Sequence, residues 1–270
     1  MRLDSEDRDS FFERPMLPGF TAWKTRKQEE SGLNPSFDYS SVYLSASDSP
    51  GEDSSSGGMF MFYGSWDLFG REPDSNSSGT LVWKVENRHA YSDIAPSALG
   101  FETGYIGLHE PPFSDQKARM TNLYWRHRWE NVTVVAGYLD VTDYVDVYAL
   151  ASPWTGFMNF AFSTGTTTIP IPNDATLGIA VGAWLSENLY VIGGIADTNS
   201  DPTDPLEGFD VFFDDKEYFK HVEIGLTSSP DSIYLDNMHL TLWQVDEREN
   251  AATPDGWGAN FSYTRYLDDK

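Results

Sequence analysis

Apolar and polar residues alternate one for one through stretch after stretch of this chain, between clusters of Gly, Pro, Asn, Asp and Ser. Side chains that change face at every residue belong to a strand with one apolar side, not to a helix of period 3.6. In GTLVWKVENRH, Leu81, Trp83 and Val85 face one way while Lys84, Glu86 and Arg88 face the other. In MFMFYGSWDLF, Phe60, Phe62, Trp66 and Leu68 oppose Met59, Tyr63, Ser65 and Asp67. In RMTNLYWRHRWE, Leu123, Trp125 and Trp129 oppose Asn122, Tyr124, Arg126 and Arg128, and in GWGANFSYTRYL, Trp257, Phe261 and Tyr263 oppose Asn260, Ser262 and Thr264.

Read this way, the chain is all-β with eleven strands, near 37–47, 59–69, 80–90, 98–108, 119–129, 132–141, 175–185, 188–197, 218–228, 232–245 and 256–267. Connections at Glu130–Asn131, Ser186–Glu187 and Ser229–Asp231 are tight, whereas 142–174, 198–217 and 246–255 are long. Alternating short and long connections mark antiparallel barrels with short turns at one end and long loops at the other. The tight connection after the fifth strand breaks that parity, so the expectation is an early strand missed, or a merged one to be split, before residue 120. Trp66, Trp129, Trp184, Tyr190 and Tyr266 at strand ends fall where interface girdles sit in transmembrane barrels. PGFTAWKTRKQEESGL reads as a short helix stopped by Gly32. A single domain is expected, with 1–35 as tail and helix and 36–270 as barrel.

Composition narrows the function. The formal charge of −24 repels nucleic acid. Without cysteine there is no disulfide framework, thiolate nucleophile or Cys-ligated metal. No stretch approaches 18 consecutive apolar residues, which leaves a β-barrel as the only way through a bilayer. The first residues, MRLDSEDRDSFFERP, lack the basic start and apolar core of a secretory signal, so an exported form has lost one. Asp197, Asn199 and Asp201 open like a calcium loop, yet Pro202 stands where Gly is required and Gly208 where a Glu belongs. Ser114 to Lys117 spells S-x-x-K without the partner motifs, and the His residues at 89, 109, 127, 221 and 239 have no metal spacing. No cofactor, metal or enzyme activity is expected.

The run GTLVWKVENRHAYSDIAPSALGFETGYIGLHEPPFSDQ resembles the carbohydrate-selective outer-membrane porins of the OprB family. The likeness continues through TNLYWRHRW, VVAGYLDVTDYVDVYALASPWTGFMNFAFSTG, IYLDNMHLTLWQVDEREN and TPDGWGANFSYTRYLDD, and Trp23, Arg26 and Gly32 are similar to that family's pre-barrel helix. The resemblance implies a porin-like antiparallel transmembrane β-barrel in a Gram-negative outer membrane, passing sugars by diffusion through sixteen strands. Only eleven or twelve are present here, and the end LDDK replaces the expected terminal aromatic residue. The implied barrel is therefore C-terminally truncated and unclosed, and expected not to conduct alone. Its partners would be outer-membrane lipid and carbohydrate, as a homotrimer or a monomer.

Sugars offer many hydroxyls and apolar C–H faces, so a selective pore needs donors, acceptors and aromatic rings. Lys84, Glu86 and Arg88 on one strand and Tyr124, Arg126 and Arg128 on another supply these, either as a constriction or as charges that merely pair along the wall. The connection 142–174 carries Asp143, Tyr144, Asp146, Tyr148, Trp154, Phe157, Phe160 and Phe162. That many aromatics must pack somewhere. Either part of the loop enters the barrel and presents Asp143, Asp146 or Trp154 to sugar, or the rings pack on the wall or a neighbour. The rival fold is a soluble sugar-binding β-sandwich. It would bury the sets Leu81, Trp83, Val85 and Leu123, Trp125, Trp129, which a barrel turns outward.

Overall fold

A computed structural model describes residues 17–72, 74–104, 110–147, 157–159, 169–172, 175–233, 236–248 and 254–265. Trp154, Tyr148, Phe160, Phe162 and Tyr266 lie outside the described residues. A helix, α1 (Pro18–Ser31), comes first, as expected from Pro at its start and Gly at its end. Gly32 closes it at φ 76°, a left-handed conformation that suits glycine, and donates its N–H to the Gln28 carbonyl. Phe20 packs its ring on Phe37 of the first strand at 5.0 Å.

Ten strands follow among the described residues: β1 (Leu33–Ser45), β2 (Ser54–Phe69), β3 (Ser77–Ala90), β4 (Lys117–Trp129), β5 (Val132–Asp140), β6 (Ala175–Trp184), β7 (Leu189–Asp197), β8 (Tyr218–Thr227), β9 (Asn237–Val245) and β10 (Gly256–Thr264). They form one antiparallel meander in which each strand pairs with its sequence neighbours. β1 pairs only with β2 and β10 only with β9, so the sheet is an open wall and not a closed barrel.

Of the expected strand at 98–108, the described residues 98–104 are not extended. Pro96–Ala98 forms a 3₁₀ turn, Leu99–Glu102 a helical turn, and Gly104 takes φ 71°. Proline pre-sets the first turn and a left-handed glycine ends it, which outweighs the local alternation. The parity defect therefore came from one strand too many, not from one missed or merged. With it removed, connections 70–76, 130–131, 185–188 and 228–236 fall at one end, and 46–53, 91–116, 141–174, 198–217 and 246–255 at the other.

Burial is inverted relative to a soluble protein. On one face of the sheet Phe62, Val222, Ile224, Leu226, Leu240, Leu242 and Phe261 are exposed, while the opposite face buries Glu86, Asn122, Glu223, His239 and Thr241. Register carries this across strands, since Phe62 pairs with Val85, Trp83 with Leu123, and Ile224 with Leu240. The sets Leu81, Trp83, Val85 and Leu123, Trp125, Trp129 thus share the apolar outer face, and no second sheet covers them among the described residues. The sandwich reading fails on this point.

Aromatic residues bound the outer face at both ends. Trp129, His127 and Phe69 cluster near the short turns, with Phe69 and His127 rings 5.5 Å apart. Tyr39, His89 and Tyr91 cluster near the long connections. Ten residues of β3 separate Gly79, level with His127, from His89. That run is ~34 Å along a strand, and at a ~40° tilt it spans the ~25 Å apolar band of an outer-membrane barrel. Tyr190 does not belong to the girdle expected for it. It is buried on the inner face, where its ring lies so close over Gly225 that a Cβ there would collide with it.

Candidate functional site

The inner face is built by parity on β3 and β4. Going from the short turns toward the long connections, paired positions are Ser78 with Arg128, Thr80 with Arg126, Val82 with Tyr124, Lys84 with Asn122, Glu86 with Arg119, and Arg88 with Lys117. All six residues singled out on these strands therefore share one face, at depths that parity alone does not give. Between Lys84 and Val85 the register shifts by a bulge, which sets the pairing above and below it.

Two of the charges neutralise each other along β3. Glu86 accepts from Arg88 at 2.6 Å and lies 3.8 Å from the Lys84 ammonium, and Thr121 donates to its other oxygen. Glu86 and Arg88 are thus buried as an ion pair on the same strand. Arg128 sits exposed at the short-turn mouth.

Lys84, Tyr124, Arg126 and Asp143 converge instead on two adjoining cavities. One, of about 290 Å³, is lined by Asn122, Tyr124, Arg126, Asp140, Asp143 and Tyr144 together with small and aliphatic residues of β5–β7. The other, of about 470 Å³, is lined by Lys24 of α1, Ser36, Tyr63, Lys84, Asn122, Tyr124 and Asp143, among others. Asn122, Tyr124 and Asp143 border both, and the Asn122 amide donates to Asp143 at 3.4 Å. The buried Arg126 Nε has no hydrogen-bond partner among the described residues.

Asp143 and Tyr144 reach this wall because the connection after β5 turns inward. A single 3₁₀ turn, Val141–Asp143, is capped by the Asp140 carboxylate, which accepts from the Thr142 amide at 3.1 Å. Val141, Val145, Ile169 and Ile171 then pack against Ala196, Phe219 and Val245 on the inner face of β7–β9. Burial pushes the Tyr144 hydroxyl up, so it stays a neutral donor and acceptor.

The inward segment is fixed by Asp146. Its carboxylate accepts from His239 Nε2 at 2.8 Å and Asn260 Nδ2 at 2.6 Å, and its amide donates to Glu223 at 2.8 Å. Glu223 also accepts from Tyr190 and Thr241, each at 2.8 Å, and His239 Nδ1 pairs with Asn237 at 3.0 Å. Four strands and the inserted segment thus share one buried polar network. Asp146 holds φ at 52°, a conformation Asp tolerates better than most residues.

A family model for the carbohydrate-selective porins, OprB family, matches residues 52–260. The chain belongs to the OprB family. The high-pH structure of Pseudomonas putida OprB aligns with a TM-score of 0.64 at 12% identity, over 88% of this chain and 58% of that one. The chain thus spans under two thirds of the solved porin's length, and the likeness at that identity is one of fold. Curated proteins yield no match. The family works as channels in the outer membrane and not as enzymes, in agreement with an apolar outer face around a polar interior.

Within this OprB-family wall, sequence reading missed the partners of Asp146. Glu223, His239 and Asn260 do stand at alternate polar positions of β8–β10, which marks them as inward. Nothing local ties them to a residue 77, 93 and 114 positions away. Trp154 lies outside the described residues.

In connection 91–116, Glu110 is 4% exposed, and burial pushes its carboxyl up to about 7. Because the folded form holds its proton more tightly than the unfolded one, stability from this group is full below the ordinary value of 4.5 and is lost as pH rises through about 7. Relative to the intrinsic base-catalysed rate, hydrogen-exchange protection in this connection is expected to fall between those pH values, and in Glu110→Gln to stay level. An identical profile in the variant would exclude the assignment.

Proposed function

We propose that this OprB-family chain lines a passive passage for carbohydrate across the outer membrane. The observation that supports it is the pair of cavities on either side of Asn122, Tyr124 and Asp143, where cations of β3–β4 face carboxylates of the inward segment. Lys84 and Arg126 donate to sugar hydroxyls, Asp143 accepts from them, and Tyr124 offers a ring to the C–H face. Glu86 and Arg88 hold the wall, Arg128 stands at the short-turn mouth, and Asp146 positions the segment that carries Asp143. Trp154, on the same connection, is proposed to present a second aromatic face.

A channel of this kind lets solutes down their gradient without chemistry, so the test is permeation. Planar-bilayer conductance and its block by glucose and maltose are to be measured for a closed barrel that contains this wall and for its Tyr124→Ala variant. One aromatic face contributes ~1 kcal/mol, so sugar block should weaken by about fivefold while ion conductance persists. Unchanged block in both Tyr124→Ala and Trp154→Ala would overturn the sugar assignment. A closed barrel containing this wall that opens no channel in any lipid would overturn the passage itself.

A further inference from the structure

The connection between β7 and β8 behaves oppositely to the one between β5 and β6: it folds outward over the rim. Its Pro202 carbonyl accepts from the amide of Met120, a β4 position beyond the end of the β5 pairing, at 2.9 Å. It therefore crosses β6 and β5 to reach β4. Phe209 sets its ring edge-on to Tyr138 at 6.1 Å. Tyr138 pairs with Leu123 and so belongs to the outer, apolar face.

Residues 207–215 of this connection are helical, as Glu207–Asp210 and then a wider turn, Val211–Asp215. Gly208 and Val211 are buried against the wall, and a Cβ at Gly208 would collide with the Tyr138 hydroxyl. On one flank Leu206, Phe209 and Phe213 are 77%, 49% and 62% exposed. On the other, offset by one residue, stand Glu207, Asp210 and Asp214, all exposed. An apolar stripe beside an acidic one, held by a helix against a membrane wall, has only one medium in which both are at ease: the boundary between lipid and water.

We propose that Leu206, Phe209 and Phe213 insert into the acyl region of the outer leaflet, making this connection an interfacial strap that lies along the membrane plane beside the wall. The occupant is lipid because the stripe is continuous with the lipid-facing surface: Phe209 meets Tyr138 edge-on, and the outer-face residues Ile179, Val181, Val222 and Ile224 extend from there in the same exposed apolar sheet. Glu207, Asp210 and Asp214, a third of a turn away, then point to water.

The chain has no cysteine, so single labels are unambiguous. Phe213→Cys, Leu206→Cys and Asp210→Cys each carry a nitroxide, in the full chain reconstituted into phosphatidylethanolamine and phosphatidylglycerol vesicles. Collision with oxygen should exceed collision with a water-soluble nickel chelate severalfold at 213 and 206, and the ratio should reverse at 210. Equal access of the chelate to all three positions would overturn the proposal. So would spin–spin broadening between labels at 213 that vanishes on dilution with unlabelled chain, which would assign the stripe to a second copy. Positions 206 and 213 are surface residues, so either label alone decides the matter if the other perturbs folding.

Discussion

Asp146→Ala is expected to lower the stability of the folded chain by about 3–5 kcal/mol, whereas Asp146→Asn should recover most of that loss. The alanine removes a buried acceptor and leaves His239 and Asn260 with donors facing nothing, and breaking one side of a buried pair costs this much. Asparagine keeps one oxygen for those donors, while the backbone amide that binds Glu223 is present in both variants. It also suits the left-handed backbone at φ 52° about as well as aspartate. Urea unfolding in detergent micelles, read as the midpoint, separates the two variants. Released from its anchor, the inward segment should also become open to protease between residues 141 and 174. If alanine and asparagine variants unfold within about 1 kcal/mol of each other, the network does not hold the segment.

That Lys84, Tyr124 and Arg126 share a face was readable, because pleat parity is a property of the strand itself and a slip of one residue would flip all of them. That Glu86 and Arg88 neutralise each other while Lys84 and Arg126 border open space was not, since two residues of equal parity differ only in depth and neighbours. The false strand at 98–108 shows the limit from the other side. Its alternation is real, but Pro96 and Gly104 fix the backbone in ways that a count of apolar positions ignores. Tyr190 was read as a girdle residue because it ends a strand, yet the register with Gly225 turns it inward to Glu223. Asp146 was named for its charge alone. Its three partners are fixed by how the sheet curves round to meet the segment, and curvature leaves no mark on any single strand.

The outer face makes the sharper claim about environment, and depth is what tests it. Val222 lies at the middle of β8, flanked in register by Gly193 and Leu242, and is already 53% exposed. In water, arginine at a half-exposed surface position costs next to nothing. In lipid, Val222→Arg should cost ~2–4 kcal/mol, and Met238→Arg, one residue from the short-turn end of β9, only ~0–1 kcal/mol. The difference between the two positions is the signature, because both side chains sit on the same face and both are exposed, at 53% and 38%. Unfolding midpoints in vesicles provide the measurement. Equal costs at both depths would mean that no hydrocarbon slab surrounds the sheet, and the apolar face would then need some other cover. A cost confined to Val222 would place the bilayer centre near the middle of β8 and not at its short-turn end.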